Sequence, residues 1–189
     1  MTRSLPSLIV LLVLLGGLAG PSTVHAQEKV MGTEVVDPGI QVEVIAAPKD
    51  AVRPLGQNLP EGETDIHLEV LATWASDESI DVPAGAQRGG FVGFLNLFGK
   101  VRNERTGDVV EVELVPHINL SDNLHYARNV DLPGEASDPF TVTLFVKPPQ
   151  DLELATHRDW RQEYGDALLA PTSFEYTGVD LSAVAAATR

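Results

Sequence analysis

The sequence contains no cysteine among its 189 residues, and it has only two methionines. The absence of cysteine excludes structural disulfides, a thiolate ligand for copper and a lipid-modified N-terminal cysteine. A domain without disulfides must be held together by ordinary packing of its core. The chain is long enough to build one such core.

Basic residues are also scarce: 13 lysines and arginines face 27 aspartates and glutamates, which gives a formal net charge of −14. Nucleic acid is excluded as a partner because its phosphates would be repelled. An acidic surface attracts cations and repels other acidic surfaces. The charge therefore fits a role in metal capture, and it fits equally well simple solubility in salty surroundings.

Only one long hydrophobic run is present, over residues 8–18, and it is too short to span a bilayer. A basic start containing Arg3 precedes it, and Val24-His25-Ala26 follows as a cleavage site of the small-residue type. This arrangement predicts a signal peptide over residues 1–26. The mature domain would then span residues 27–189, exported to the periplasm, soluble and neither anchored to lipid nor inserted in the membrane.

Extended segments with alternating apolar residues recur along the chain, and turn signals rich in Pro and Gly separate them. The predicted strands cover residues 40–46, 65–74, 91–102, 109–114, 125–132, 140–146 and 173–177. The remaining segments are predicted as a polar lead-in (27–38), a loop or one short helix (150–169) and a frayed tail (183–187). We therefore expect an all-β, immunoglobulin-like antiparallel sandwich of about seven strands.

The mature domain would have four histidines, and each has a carboxylate nearby in sequence. In the strand D-I-H-L-E-V, His67 and Glu69 point to one face while Ile66, Leu68 and Val70 point to the core. Two such neighbours can reach a single ion. A solvated strand face with a weak cross-strand pair would give the same pattern.

The other three histidines lie in two later segments. His117 and His125 flank Asp122 in what the sequence predicts to be a short loop, and His157 comes two residues before Asp159. Any one of them alone is more often a surface residue than a ligand. Their joint pattern suggests one divalent-metal site formed by the four histidines with Glu69 and Asp122.

Imidazole and carboxylate ligands without sulfur suit copper(II), ferrous iron and, as a surrogate, zinc, and suit copper(I) less well. Because the imidazoles must be neutral to bind, we expect metal affinity to fall below about pH 6.5. No Ser, Cys or Lys nucleophile is paired with a base in the sequence. The protein is therefore not expected to be an enzyme.

The chain resembles the periplasmic iron-transport proteins, which bind copper and iron and work with high-affinity iron permeases. The similarity covers residues 33–178, and its most specific pieces are D-I-H-L-E and D-x-x-H-Y. It is carried, in order, by D-I-H-L-E-V, F-L-N-L-F-G-K-V-R-N-E-R-T-G-D, V-P-H-I, S-D-N-L-H-Y-A-R-N-V, T-L-F-V-K-P-P, T-H-R-D and F-E-Y-T-G.

The resemblance implies an immunoglobulin-like sandwich that forms a homodimer, with its metal site near the dimer interface. It implies an inner-membrane iron permease as a partner. Residue by residue, it implies that the family's metal-site positions are occupied here by His67, Glu69, Asp122, His125 and His157.

One position departs from the family pattern. Where the family has Pro-Met, this chain has Pro116-His117, and one extra residue separates His117 from Asp122. Either His117 replaces the methionine as a ligand, or the loop is displaced and only three histidines bind. The first interpretation predicts weaker retention of copper(I) than a thioether site would give.

The sequence thus predicts an exported protein that captures divalent iron or copper for an iron-uptake permease. The alternative is an exported immunoglobulin-like module that binds a protein partner and has its histidines scattered over the surface. A redox enzyme of the copper/zinc superoxide-dismuting kind would need more imidazoles than the chain offers for two metals.

Overall fold

A computed structural model describes residues 28–149 and 154–187, so the predicted signal peptide lies outside the described residues. Among the described residues, the helices all lack the length and apolar character needed to span a bilayer. The elements, in chain order, are β1 (Lys29–Val36), β2 (Ile40–Pro48), a 3₁₀ turn (Glu61–Glu63), β3 (Ile66–Trp74), β4 (Asn96–Asn103), β5 (Val109–Ile118), β6 (Leu124–Val130), β7 (Phe140–Lys147), α1 (Arg158–Tyr164), β8 (Thr172–Val179) and α2 (Ser182–Ala186).

The eight strands of the described residues form one antiparallel sheet with the order β1-β2-β3-β6-β5-β4-β7-β8. Strand β5 connects the two halves of this sheet. Its residues 109–114 pair with β4, whereas its residues 115–118 pair with β6. Because one strand serves both halves, the sheet can curve round on itself as one nearly barrel-shaped layer around the core.

The core lies inside this curve. Leu68 of β3 and Gly99 of β4 are not neighbours in the sheet, yet a Cβ placed on Gly99 would lie 2.5 Å from Leu68 Cδ2. Inward-facing side chains of strands that do not pair thus meet across the interior. Alternate residues of β3 supply part of this core: Ile66, Leu68 and Val70 are essentially inaccessible to solvent, as their strand pattern predicts.

The all-β antiparallel class is therefore confirmed, but a seven-strand immunoglobulin-like sandwich is not. The predicted polar lead-in contains β1, which pairs with β2, and the predicted frayed tail contains α2, whose Val184 is buried against the core. Conversely, residues 91–95 of the third predicted strand make only one isolated bridge, between Phe91 and Thr73. These two short segments were misjudged because tertiary packing, not their own sequence pattern, decides their structure.

The two end strands of the sheet come together at a glycine. The aromatic ring of Tyr176 on β8 lies against Gly32 on β1, so closely that a Cβ on Gly32 would sit 2.4 Å from Tyr176 Cε1. A bulge in the β1–β2 register occurs at this point, between Val30 and Gly32. Because Gly32 has no side chain, the Tyr176 ring fits against β1 and brings the edge strands β1 and β8 into contact.

We expect Gly32→Ala to destabilise the mature domain by about 1–3 kcal/mol, because the added methyl group overpacks the contact with Tyr176. The free energy of unfolding from urea titration, followed by circular dichroism, measures this. Gly62→Ala is the matched control, since nothing lies within 4 Å of a Cβ there, and it should change stability by no more than about 0.5 kcal/mol. Equal stabilities for the two variants would contradict this account of the edge contact.

Candidate metal centre

Three of the four predicted histidines converge on one point of the sheet. His67, His117 and His125 each offer a ring nitrogen, and the three nitrogens lie within 4.8 Å of one another. The ring centroids are 5.2 Å apart for His67 and His117, 5.9 Å for His117 and His125, and 6.2 Å for His67 and His125. We call this set the histidine triad.

Strand pairing places the triad. The strands β3, β6 and β5 are adjacent in the sheet, and His117 of β5 is paired directly with His125 of β6. Along β6, residues 125, 127 and 129 point to the same face, and Ala127 is the small residue between His125 and Asn129. The sequence prediction of a loop carrying both histidines was therefore wrong in detail, because the two residues lie on neighbouring strands in register.

Hydrogen bonds fix the ring orientation of two members of the triad. His67 Nδ1 lies 2.6 Å from Asn129 Oδ1, and His125 Nδ1 lies 3.0 Å from the carbonyl oxygen of Asn123. Because a carbonyl oxygen only accepts, His125 Nδ1 carries the proton in the neutral ring, and the lone pair resides on Nε2. Histidines that bind metals are held in this way by a partner on the other nitrogen.

The triad is largely withdrawn from solvent. His67 is 3 % exposed and His125 is 1 % exposed, and they line a cavity of about 260 Å³ together with His117 and residues 50–53 of the β2–β3 loop. His117 Nε2 is buried and has no hydrogen-bond partner among the described residues. A buried nitrogen without a partner is costly unless a ligand satisfies it, so the cavity suits a cation.

Burial also determines the charge of His117. Desolvation is the main cause that lowers the pKa of His117 to about 4, and electrostatic interactions with His125 and Arg128 act in the same direction. The ring therefore stays neutral at pH values where an exposed imidazole is protonated. A neutral ring keeps its lone pair for a metal ion, and protons compete less with the metal at this position.

Glu69 lies beside the triad, with its Oε1 3.7 Å from His67 Nε2, and it is fully buried. The structure also brings it close to two other carboxylates. One oxygen each from Glu28, Glu69 and Asp122 lies within 4.8 Å of the others, and we call this set the carboxylate group. Glu69 thus joins a set of imidazole nitrogens to a set of harder oxygen ligands.

The turn between β5 and β6 holds Asp122 in place. Asn119 Nδ2 and Ser121 Oγ both donate to Asp122 Oδ2, at 2.8 and 3.0 Å. The backbone N–H of Asp122 donates in return to Asn119 Oδ1 at 2.6 Å. The turn thus holds Asp122 as a member of the carboxylate group, beside the histidine triad.

His157 does not join the triad within the described subunit. It is exposed and lies at the N-terminal end of α1, on an apolar groove of about 370 Å³ that also contains Trp74, Phe94 and Trp160. The groove is separate from the cavity of the triad. The subunit thus brings together three of the four predicted histidines, plus Glu69 next to them.

Sequence reasoning missed two residues that belong to the centre. Glu28 falls in the segment that was interpreted as a polar lead-in, and nothing in its pattern distinguishes it from other surface glutamates. Asn129 carried a usable signal, because it lies four residues after His125 and therefore on the same face of an alternating strand. Its partner His67 lies on another strand, so the contact itself depends on the sheet order.

Chemically, the triad offers three buried nitrogens of the borderline type that copper(II), ferrous iron and zinc accept, with a carboxylate alongside. The fold and this centre together define an antiparallel β-sheet protein with a candidate site for such a metal. Residues 25–181 match the sequence model of the Fe2+ transport protein family, so the chain belongs to that family.

Solved structures support the same fold. FetP from uropathogenic Escherichia coli strain F11 has 21 % sequence identity and a TM-score of 0.63, and the alignment covers 80 % of this chain and 95 % of FetP. A copper-bound variant of the P19 protein of Campylobacter jejuni has 20 % identity and a TM-score of 0.66, again with 80 % and 95 % coverage. A search of curated proteins gave no match.

The low pKa of His117 predicts how the stability of the metal-free protein depends on pH. His117 has a pKa of about 4 in the folded protein and an ordinary value of 6.5 when unfolded. Between these values the unfolded state binds more protons, so the stability contribution is complete above about pH 6.5 and is lost progressively toward pH 4. Because the ring is partly exposed, we expect the free energy of unfolding to fall by about 1–2 kcal/mol across this pH range, which is less than the full pKa shift of His117 implies.

Urea unfolding of metal-free protein at several pH values across this window measures the effect, and His117→Gln is the comparison. The variant should show a shallower dependence of unfolding free energy on pH than the parent. Identical slopes would mean that the His117 ring is already hydrated and titrates normally in the folded protein.

Proposed function

We propose that this protein is an exported, periplasmic binder of divalent iron or copper that supplies the metal to an inner-membrane iron permease. The convergence of the three triad nitrogens in a buried cavity carries this proposal. Solvated surface histidines, as the protein-interaction alternative requires, would not be buried to this extent. The metal is cargo in this account, so the protein is assigned a binding role and no catalytic one.

The ligand chemistry and the family support the choice of metals. Neutral imidazoles with one carboxylate favour copper(II) in the usual affinity order, accept ferrous iron, and take zinc as a surrogate. Membership of the Fe2+ transport family favours iron as a cargo. The FetP and P19 relatives include structures described as copper-bound, which favours copper as a second ion.

The geometry of β5 and β6 favours His117 as a ligand in place of the family's methionine. A displaced loop would leave His117 away from the other rings, whereas here it is paired with His125 and stacked on His67. The resulting site has nitrogen and oxygen ligands only. We therefore propose weaker retention of copper(I) than a site with a thioether would have.

The carboxylate group gives Glu69 and Asp122 separate tasks. Glu69 is proposed as a ligand or immediate neighbour of the triad metal, because its Oε1 is close to His67. Asp122 is proposed to act at a secondary position with Glu28 and Glu69. Hard oxygen ligands suit iron(II) there, while copper(II) keeps its higher rank in the usual affinity order.

A homodimer would give His157 its place in the site. His157 is exposed, and the end of the β5–β6 hairpin, which adjoins the triad, carries apolar side chains that face solvent in the single subunit: Ile118, the last residue of β5, is 72 % exposed and Leu120, in the turn, is fully exposed. Such a hairpin end is suited to burial against another subunit. We propose that the second copy of the chain brings its His157 to the triad, which would complete a four-histidine site near the dimer interface.

The permease partner is proposed from the family and from charge. A net charge of −14 would steer the protein toward a basic surface on a membrane partner, and the attraction would weaken as salt is added. The same charge concentrates cations around the protein. It provides no base for binding nucleic acid.

Single substitution of the histidines tests the binding proposal. Loss of a residue that only hydrogen-bonds to a metal ligand weakens metal binding by roughly 10- to 100-fold. Loss of a ligand itself should cost more, so we expect copper(II) affinity to fall by more than this in each of three variants: His67→Ala, His117→Ala and His125→Ala. Competition with a chelator of known affinity, for copper(II) and for iron(II), measures this. The exposed Glu61→Gln is the control and should bind like the parent. Unchanged binding in all three variants would favour the interaction-module alternative.

Mixing two defective subunits tests the place of His157. If His157 binds from the partner subunit, His125→Ala and His157→Ala proteins should each bind copper(II) weakly when alone. Mixed dimers of the two proteins should regain one intact site. In that site the His157→Ala subunit contributes the complete triad, and the His125→Ala subunit contributes its His157. Size-exclusion chromatography verifies dimer formation. A mixture that binds only the average of its two components would refute the shared site.

A further inference from the structure

Asn129 is a buried polar residue that strand pairing places directly opposite His67. It lies on β6, it is 1 % exposed, and its side-chain amide makes three hydrogen bonds. Its Oδ1 is 2.6 Å from His67 Nδ1. Its Nδ2 donates to the backbone carbonyl oxygens of Asp50, at 2.9 Å, and Leu59, at 2.8 Å.

These contacts permit only one orientation of the amide. Both N–H groups of Nδ2 are used by carbonyl oxygens, which can only accept. A flipped amide would place its own oxygen against these two oxygens and leave His67 facing an N–H group. The Asn129 oxygen therefore faces His67 and accepts a hydrogen bond from it.

The orientation of the amide decides where the His67 proton resides. An amide oxygen can only accept, so the neutral His67 ring must carry its single proton on Nδ1. The lone pair is then on Nε2, the nitrogen that lies 3.7 Å from Glu69 Oε1. Without a partner on Nδ1, the two neutral tautomers of the ring would interconvert, and only one of them presents Nε2 to a metal.

The other half of the amide holds the wall of the metal cavity. Asp50 and Leu59 belong to the long segment 49–65 between β2 and β3, and residues 50–53 of it line the cavity with the triad. Arg128, the neighbour of Asn129, donates to the carbonyl oxygen of Gln57 in the same segment. The Asn129 side chain thus contacts both His67 of the triad and the loop that covers the triad.

We propose that Asn129 is a positioning residue for metal binding, whose amide fixes the His67 tautomer and docks the 50–59 loop over the triad. The ligand that benefits is a divalent transition-metal ion accepted by imidazole. This inference rests on the proposed function for its consequence, metal affinity. The tautomer and the loop can be measured without any metal.

Two substitutions separate the two tasks. Asn129→Leu has a similar shape and removes both the acceptor and the donors. Asn129→Asp keeps an acceptor for His67 Nδ1 but loses the amide donors to Asp50 and Leu59. We expect the leucine variant to lose the tautomer preference and the loop contact, and the aspartate variant to lose only the loop contact.

Three measurements on the mature protein report these effects. Long-range proton–nitrogen NMR of the metal-free protein at neutral pH identifies the His67 tautomer, with His67→Gln to assign the signal. Hydrogen exchange reports the protection of residues 50–59. Competition with a chelator gives copper(II) affinity. For Asn129→Leu we expect a mixture of tautomers, faster exchange in the loop and a loss of affinity of about 10- to 100-fold.

Asn103→Leu is the matched control for a general loss of stability. Asn103 is also a wholly buried asparagine, and its amide donates to the Pro133 carbonyl and to Asp138 in another part of the fold. Its loss should lower stability without changing the His67 tautomer, the loop exchange or the copper affinity. If Asn103→Leu reproduced the effects of Asn129→Leu, the positioning role would be refuted.

The remaining outcomes are also decisive. A single His67 tautomer and a normal copper affinity in Asn129→Leu would overturn the inference while leaving the proposed function intact. A parent protein that binds neither copper(II) nor iron(II) would overturn the proposed function, and the NMR and exchange measurements would still test the structural claim. If the leucine variant does not fold, Asn129→Asp carries the test. Unchanged hydrogen exchange in the 50–59 loop of the aspartate variant would contradict the inference, and so would loss of its His67 tautomer preference.

Discussion

The direct pairing of His117 with His125 across the β5–β6 ladder is the contact on which the centre depends. A shift of one residue in this register would turn one of the rings to the opposite face of the sheet. A second ladder pairs β6 with β3, and so brings His67 within stacking distance of His117. The site is therefore built on paired strands, which hold side chains more precisely than a loop does.

Around this contact, the protein keeps the His117 ring neutral and the His67 and His125 rings oriented before any metal arrives. Burial lowers the pKa of His117, and hydrogen bonds to Asn129 and Asn123 occupy the Nδ1 atoms of His67 and His125. Each of these interactions removes a competing state of an imidazole, either a protonated ring or the wrong tautomer. Binding then requires little rearrangement, which is a general source of affinity.

Glu69 connects this centre to the acidic character of the whole chain. It is buried next to His67 and also belongs to the carboxylate group with Glu28 and Asp122. A cation attracted by the acidic surface would meet oxygen ligands adjoining the imidazoles. The arrangement offers two kinds of ligand a short distance apart, a feature that suits a protein handling more than one metal.

Much of the strand content was predictable from alternation, and residues 66–70 show why: their apolar members fill the core and their polar members share the other face. The residue types of the centre were also evident, because His67, Glu69, His117 and His125 stand out in a cysteine-free chain. Segments with weak patterns, such as β1 and α2, were missed, since they form only by pairing with or packing on β2.

The sequence by itself narrowed the ligand chemistry, since a chain without cysteine and with only two methionines offers almost entirely nitrogen and oxygen ligands. It also determined which faces of the strands are apolar. Tertiary structure decided which residues meet: that His117 opposes His125, that Asn129 contacts His67, that Glu28 joins Asp122, and that His157 stands apart in the single subunit. The physical reason is that alternation specifies the face of a side chain, whereas its neighbours on that face depend on strand order and register.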